Sequence, residues 1–174
     1  IWEPDFYQEA DLVYGTIDEH HPAVDYMFNI SNKVYIGGKI EKISMPNHYD
    51  YRQYRLSPDK AKNKFKEKGW DKIVAFQTRN PLHRAHIEMT LKSIEELDAK
   101  LFLHPVVGMT KPGDINHYTR VRCYQHVIEK YPKDTAMLAL LPLAMRMGGP
   151  RETLLHAIIR KNYRCTHLIV GRDH

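Results

Sequence analysis

Gln77, Thr78, Arg79 and Asn80 stand directly after the apolar run Ile73-Val74-Ala75-Phe76, and Pro81-Leu82-His83-Arg84-Ala85-His86 follow without a break. A buried strand that ends there delivers a set of hydrogen-bonding and cationic side chains into about one helical turn. If a helix begins near Pro81, then His83 and His86, three residues apart, share one face at its N-terminal end. A helix N-terminus carries unpaired N–H groups and a partial positive charge, which favours a bound anion. Arg79, His83 and His86 add charge or donors at the same place. The pattern reads as a trap for an oxyanion, phosphate first among them.

Two other readings compete for these residues. Histidines on a helix serve as zinc ligands in metalloproteases, but that pattern needs a spacing of four and an intervening glutamate. Here the spacing is three and the intervening residues are Arg84 and Ala85, so no metal site is expected. The plainer alternative is a pair of ordinary surface histidines, which the preceding Gln-Thr-Arg-Asn-Pro disfavours. No Gly-x-Gly-x-x-Gly and no P-loop occurs, so a phosphate site must rely on side chains and a helix end.

The elements that must position these groups follow from composition and rhythm. With 174 residues, the chain can hold one ordinary domain and part of a second. It lacks an initiator methionine and stops just after Leu168-Ile169-Val170, so it reads as part of a longer protein, without a secretory leader or a membrane span. The net charge of +5 suits an anionic ligand. The lysines concentrate between Lys60 and Lys68, where they alternate with other residues as on a solvated helix face. The two cysteines, Cys123 and Cys165, form no metal or redox motif and read as reduced thiols, which points to the cytoplasm or an organelle.

Residues 1 to 56 carry short β-favouring pieces, Leu12-Val13-Tyr14, Lys33-Val34-Tyr35-Ile36 and Lys39 to Ile43, with Gly15, Gly37 and Gly38 as turn signals. They read as the C-terminal part of a small, mostly-β unit, closed by a linker from Pro46 to Arg55. From residue 57 the chain alternates between helix and strand. Ser57-Pro58 opens a helix that ends near Gly69. Strands are expected over Lys72 to Phe76, Leu101 to Val107, Ala136 to Leu141 and Thr166 to Val170. Helices are expected over Pro81 to Leu97, with Leu82, Ala85, Met89 and Ile94 as its apolar residues, over Thr119 to Tyr131, and over Pro150 to Asn162. Continuous apolar strands between amphipathic helices mean an α/β fold, a parallel sheet covered on both faces. Ligands of such sheets bind beyond the carboxyl ends of the strands. Here those ends lead into Gln77–Leu82, Gly108–His117, Pro142–Gly149 and Gly171–His174.

The decapeptide Gln77 to His86, together with Gly171-Arg172-Asp173-His174, resembles ATP sulfurylase (sulfate adenylyltransferase). His104 to Gly108, Thr110 to Asp114, Leu141 to Met147 and His156 to Asn162 also resemble segments of that family. The resemblance implies a Rossmann-like sheet of the nucleotidylyltransferase type over residues 57–174, as the N-terminal part of a catalytic domain. It implies the reaction of ATP with sulfate to give adenosine 5′-phosphosulfate and pyrophosphate, with Mg2+ carried by the nucleotide. It also implies a homo-oligomer. By the same resemblance Gln77 and Arg79 contact sulfate, Gln77 to Asn80 and Gly171 to His174 line ATP, and Thr78, Arg79 and Asn80 belong to the catalytic set. His83 and His86 would stabilise charge on the phosphates as pyrophosphate leaves. In the family an alanine that helps bind sulfate follows Gly-Arg-Asp-His, one position beyond His174.

The residue chemistry suits this reaction. Sulfate is fully ionised at neutral pH, so the transfer needs no general base and no nucleophilic side chain. It needs two anions brought together in line, and Arg79 can clamp an oxyanion with a planar fork. Arg146 has two roles open to it, a phosphate contact or an ion pair under its loop. Lys111 and Asp114 read as turn residues, and Arg120 and Arg122 as surface cations or partners of a nearby acid. Asp173 reads as a ligand contact at a strand end or as the cap of a following helix. The competing functional classes are a basic nucleic-acid-binding module, another His-x-x-His nucleotidylyltransferase, and the sulfurylase part of a bifunctional synthase. Nucleic acid and membrane are not among the expected partners.

Overall fold

A computed structural model describes residues 1–109 and 113–171 of the chain. Four parallel strands, β1 (Ile73–Phe76), β2 (Lys100–Leu103), β3 (Ala136–Leu138) and β4 (His167–Ile169), form one sheet in the order β3-β2-β1-β4. The sheet grows one way from β1 and then returns to place β4 on its other side. The reversal falls between β1 and β4, where an open α/β sheet leaves a crevice at its carboxyl edge. Register is regular: Val74 pairs with Leu101 on one side and His167 on the other.

All four residues of β1 are buried, because both faces of the sheet are covered. Side chains alternate between the faces. Val74 and Phe76 join Leu101, Leu103, Ile94, Val121 and Tyr124 in one core, under helices α4 (Arg84–Glu96) and α5 (His117–Ile128). Ile73 and Phe102 join Ala61, Phe65, Trp70 and Tyr163 in the other, under α3 (Pro58–Glu67) and α6 (Gly149–Asn162). The lysine-rich segment is α3. Ser57 caps it by accepting from the Lys60 N–H, Ala61 and Phe65 face the sheet, and Gly69 takes the left-handed turn, at φ 65°, that follows its end.

The first 56 residues depart from expectation. Leu12-Val13-Tyr14 is the end of a helix, α1 (Phe6–Tyr14). Asp5 starts it, its side chain accepting from the Tyr7 and Gln8 N–H groups, and Phe6, Ala10 and Tyr14, four apart, pack against Val24 and Met27. The cap and this stripe outweigh the β preference of three residues. A short helix α2 (Pro22–Asp25) and a π turn (Tyr26–Ile30) complete that cluster. Of the expected Lys33–Ile36 strand only a bridge from Tyr35 to Trp2 forms, and Lys39 to Ile43 makes no strand. The expected linker includes one 3-10 turn, Arg52–Tyr54.

In the α/β part the elements stand where expected, with shorter strands. The helix after β1 begins at Arg84 instead of Pro81, so Ile87, Thr90, Leu91 and Ile94 form its inner face, while Ala85 and Met89 are exposed. No helix among the described residues is long and apolar enough to cross a membrane.

Candidate active site

The carboxyl end of β1 runs straight into a tight turn. The Thr78 hydroxyl donates to the Asn80 carbonyl at 3.0 Å and accepts from the Asn80 N–H at 3.1 Å, and the Tyr124 hydroxyl donates to the same carbonyl at 2.9 Å. Burial pushes the Tyr124 phenol up to about 12, so it stays a donor. The hydroxyl of Thr78 is thereby engaged in shaping the turn, and Asn80 is left exposed at its tip.

His83, extended at φ −110°, is the N-cap of α4, and His86 is its third residue. The later start of the helix keeps the two imidazoles together, with ring centroids 3.8 Å apart. The His83 N–H donates to His86 Nδ1 at 3.4 Å. Nδ1 being an acceptor leaves the ring proton on Nε2. Burial, with the neighbouring His83 second, lowers the pKa of His86, so it enters the site as a neutral donor.

Arg79 is oriented from across the sheet. Its Nη1 donates to both carboxylate oxygens of Asp114, one at 2.6 Å, and that carboxylate is nearly buried. Both bonds use the same nitrogen. Asp114 therefore does more than complete a turn, which corrects the sequence expectation. Arg120 is a second correction: it is only 2% exposed, and its Nη1 donates to the carbonyls of Arg79 at 2.7 Å and Val106 at 3.1 Å. It ties the ends of β1 and β2 together just past their last ladder bonds. Arg122 is exposed as expected.

A cavity of about 260 Å³ opens at this edge, in the crevice between β1 and β4. Gln77, Thr78, Arg79, Asn80, His86 and Gly171 all line it, together with Phe76, Met89, Met145 and Ile169. His83 stacks on His86 without lining it. Arg172, Asp173 and His174, expected at the nucleotide, and Lys111 lie outside the described residues. Met145, which sequence reasoning passed over, accepts the Gln77 amide on its sulfur at 3.3 Å. Met145 belongs to the loop after β3, where the backbone of Met147 is left-handed at φ 56°. His21 Nε2 meets the Met147 carbonyl at 3.0 Å from the N-terminal unit. The Arg146 guanidinium lies 4.9 Å above the Tyr26 ring, and among the described residues no carboxylate forms an ion pair with it.

The site thus offers guanidinium, imidazole and amide donors at the start of a helix, a set that fits oxyanions. Among the described residues no group of three or more His, Cys, Asp or Glu is placed to hold a metal ion.

Comparison with known proteins bears on this arrangement. Residues 52–174 match the ATP-sulfurylase family, and residues 1–45 match a PUA-like domain family. A sulfate adenylyltransferase of Schizosaccharomyces pombe is 53% identical over 99% of this chain and 35% of its own length. One of Saccharomyces cerevisiae is 53% identical over the whole chain and 34% of its own length. The chain therefore spans about a third of the curated relatives it matches. Among solved structures, the hexameric APS kinase from Thiobacillus denitrificans superposes with a TM-score of 0.68 at 37% identity, over 73% of this chain and 26% of that one. With a family match across well over half of its residues, the chain belongs to the ATP-sulfurylase family.

Proposed function

We propose that the protein containing this chain transfers the adenylyl group of ATP to sulfate, forming adenosine 5′-phosphosulfate and pyrophosphate, and catalyses the reverse as well. The observation that carries this reading is the juxtaposition, around one cavity, of an arginine gripped by a carboxylate and of His86, backed by His83, at a helix N-terminus. Asp114 occupies only Nη1 of Arg79. The Nε and Nη2 edge of the guanidinium is the side suited to a bidentate oxyanion, with the Gln77 amide beside it. Sulfate held there attacks the α-phosphorus as the bond to the pyrophosphate oxygen breaks in line. No proton has to move. What limits such a transfer is repulsion and alignment, and fixed donors supply both remedies.

Neutral His86 donates through Nε2 to the phosphates, His83 lies against it, and the N-terminal end of α4 adds its partial positive charge. Thr78 and Asn80 act through the turn that aims these groups. Gly171 lines the cavity, and by the family resemblance it binds ATP together with Arg172, Asp173 and His174. Mg2+ arrives bound to ATP. We keep residues 1–56 as the end of a separate N-terminal unit and 57–174 as the start of the catalytic domain. A homo-oligomer fits a relative described as hexameric, and two unpaired cysteines fit a reducing compartment, cytoplasmic or organellar.

A coupled pyrophosphate assay on the full-length protein tests the reading. Release is expected only when ATP, Mg2+ and sulfate, or a tetrahedral analogue such as molybdate, are all present. Release independent of the oxyanion, or none at any magnesium concentration, rejects it.

A further inference from the structure

Glu152 and His156 stand one turn apart on α6, both almost fully buried. Glu152 Oε1 accepts the Arg146 N–H at 2.7 Å and Oε2 accepts the Gly148 N–H at 3.1 Å. One carboxylate thus grips both ends of the turn whose middle residue is the left-handed Met147. The residue before that turn is Met145, the acceptor for the Gln77 amide. On its inner side Glu152 Oε1 lies 3.6 Å from His156 Nε2, an ion-pair distance and not a hydrogen bond. His156 Nδ1 is 3.1 Å from Arg160 Nη1. A guanidinium can only donate, so the imidazole proton sits on Nε2, the nitrogen turned to the carboxylate.

Arg160 is 1% exposed, and its Nη2 donates to the His104 carbonyl, one residue past β2, at 2.9 Å. Among the described residues no carboxylate forms an ion pair with Arg160, so the negative charge at the end of this row is that of Glu152. Burial alone would push the Glu152 carboxyl up, but the imidazole and the two amides outweigh it and hold it below the usual carboxylate range. The row runs from the β2 end through Arg160 and His156, across the 3.6 Å ion-pair contact to Glu152, and on to the 146–148 turn, Met145 and Gln77. Gln77, Met145, Glu152 and His156 also border one cavity of about 20 Å³.

We propose that Glu152 and His156 are positioning residues for the acceptor oxyanion. Through the 146–148 turn and Met145 they fix the Gln77 amide, and so set the affinity for a tetrahedral dianion without touching either substrate. The inference rests on the assignment of Gln77 to the sulfate site made above. A purely structural role would lower stability and disturb both substrates alike, or neither. A positioning role moves the KM for sulfate well beyond that for ATP, for which Gln77 is one of several lining residues.

The test is steady-state pyrophosphate release by the full-length protein, with ATP and sulfate varied separately and thermal unfolding measured alongside. Glu152→Gln and His156→Gln are expected to raise the KM for sulfate about tenfold, the effect of one lost hydrogen bond to a charged group. The KM for ATP should stay within about twofold and kcat within about threefold on that argument, because the phosphate donors lie elsewhere. Met145→Leu keeps the volume and leaves the Glu152–His156–Arg160 row intact while removing the sulfur acceptor. It should shift the sulfate KM in the same direction, and it decides alone if the buried variants do not fold. An active wild type whose variants change both KM values together, or neither, overturns the positioning role. A wild type that releases no pyrophosphate in response to sulfate overturns the underlying assignment instead.

Discussion

Gly108→Ala is the most demanding test of how the site is built. Gly108 follows β2 at the point where the loop after β3 crosses closest to it. A Cβ placed there would lie 2.5 Å from the Leu143 carbonyl carbon and 2.9 Å from the Ala144 nitrogen, with the Leu143 oxygen nearer still. Carbon atoms pack at about 3.5–4.0 Å, so one backbone must retreat by about 1 Å. Neither is free to do so. Val107 N–H donates to Leu141 at 2.9 Å and Met145 N–H to Met109 at 2.8 Å, pinning the two segments on both sides of the contact. Forcing an extra methyl into such a place costs about 2–3 kcal/mol. For a domain of this size that lowers the melting temperature by roughly 5–10 °C. The displaced segment carries Met145, so Gln77 loses its partner, and turnover at sub-saturating sulfate should fall about tenfold, the effect of one lost hydrogen bond to a charged group. Differential scanning fluorimetry and the pyrophosphate assay on full-length protein read both effects. Gly148→Ala is the control: its Cβ would meet nothing closer than 3.4 Å, and the loss of a glycine N-cap costs about 1 kcal/mol at most. If Gly108→Ala melts and turns over like the control, the two segments are not locked together as described.

Replacing His86 with alanine should lower kcat by roughly 10²- to 10³-fold, the usual loss for one transition-state donor, with ATP affinity by calorimetry changed far less. Equal losses in both would make His86 a ground-state contact. Arg79→Lys should raise the sulfate KM and lower kcat together, because a point charge replaces a planar fork. Asp114→Asn should weaken sulfate binding without removing the cation. A wild-type sulfate KM in either variant contradicts the arginine's assignment. Stability should also fall on mild acidification. Burial, with the Arg160 guanidinium next and the His156 imidazole after it, holds His104 well below its ordinary 6.5. The unfolded chain therefore binds a proton that the native state refuses. The stability this represents is complete above about pH 6.5 and declines by about 1.4 kcal/mol per pH unit as pH drops below it. His86, lowered in the same sense, adds to the slope. Urea unfolding between about pH 7 and pH 5 checks the sign, and a flat profile refutes it.

The sheet and its helices were readable because β1 and β2 are continuous apolar runs, α3 opens on the Ser57 cap and ends near Gly69, and α6 opens on Gly149-Pro150. The decapeptide was readable because strand, turn and helix start are contiguous there. What escaped depends on contacts distant in sequence. Asp114 lies 35 residues from Arg79, and local turn chemistry accounted for it well enough to hide the pairing. Arg120 looked like one more surface cation on α5, since nothing local marks a guanidinium that will meet two strand-end carbonyls. Leu12-Val13-Tyr14 was misread because its β preference is local, while the helix that overrides it is set by Asp5 and by packing on Val24 and Met27. The start of α4 slipped by three residues because Leu82 is pulled into the core ahead of it, which leaves His83 extended.

The turn at Met147 joins the first helices of the chain to the oxyanion side of the site. A bulky residue held left-handed stores on the order of 1 kcal/mol, and it stays there only while something restrains it. One restraint is Glu152; the other is His21, which reaches the Met147 carbonyl from the N-terminal unit. Whatever detaches that unit releases one latch of a sprung segment that ends at Gln77. Thermodynamic reciprocity then works in the opposite direction: an oxyanion that favours the latched turn must make residues 19–30 harder to pull away. Limited proteolysis of the N-terminal unit should accordingly slow as sulfate is added, and slow less in His21→Ala. Equal protection in both proteins would sever the link.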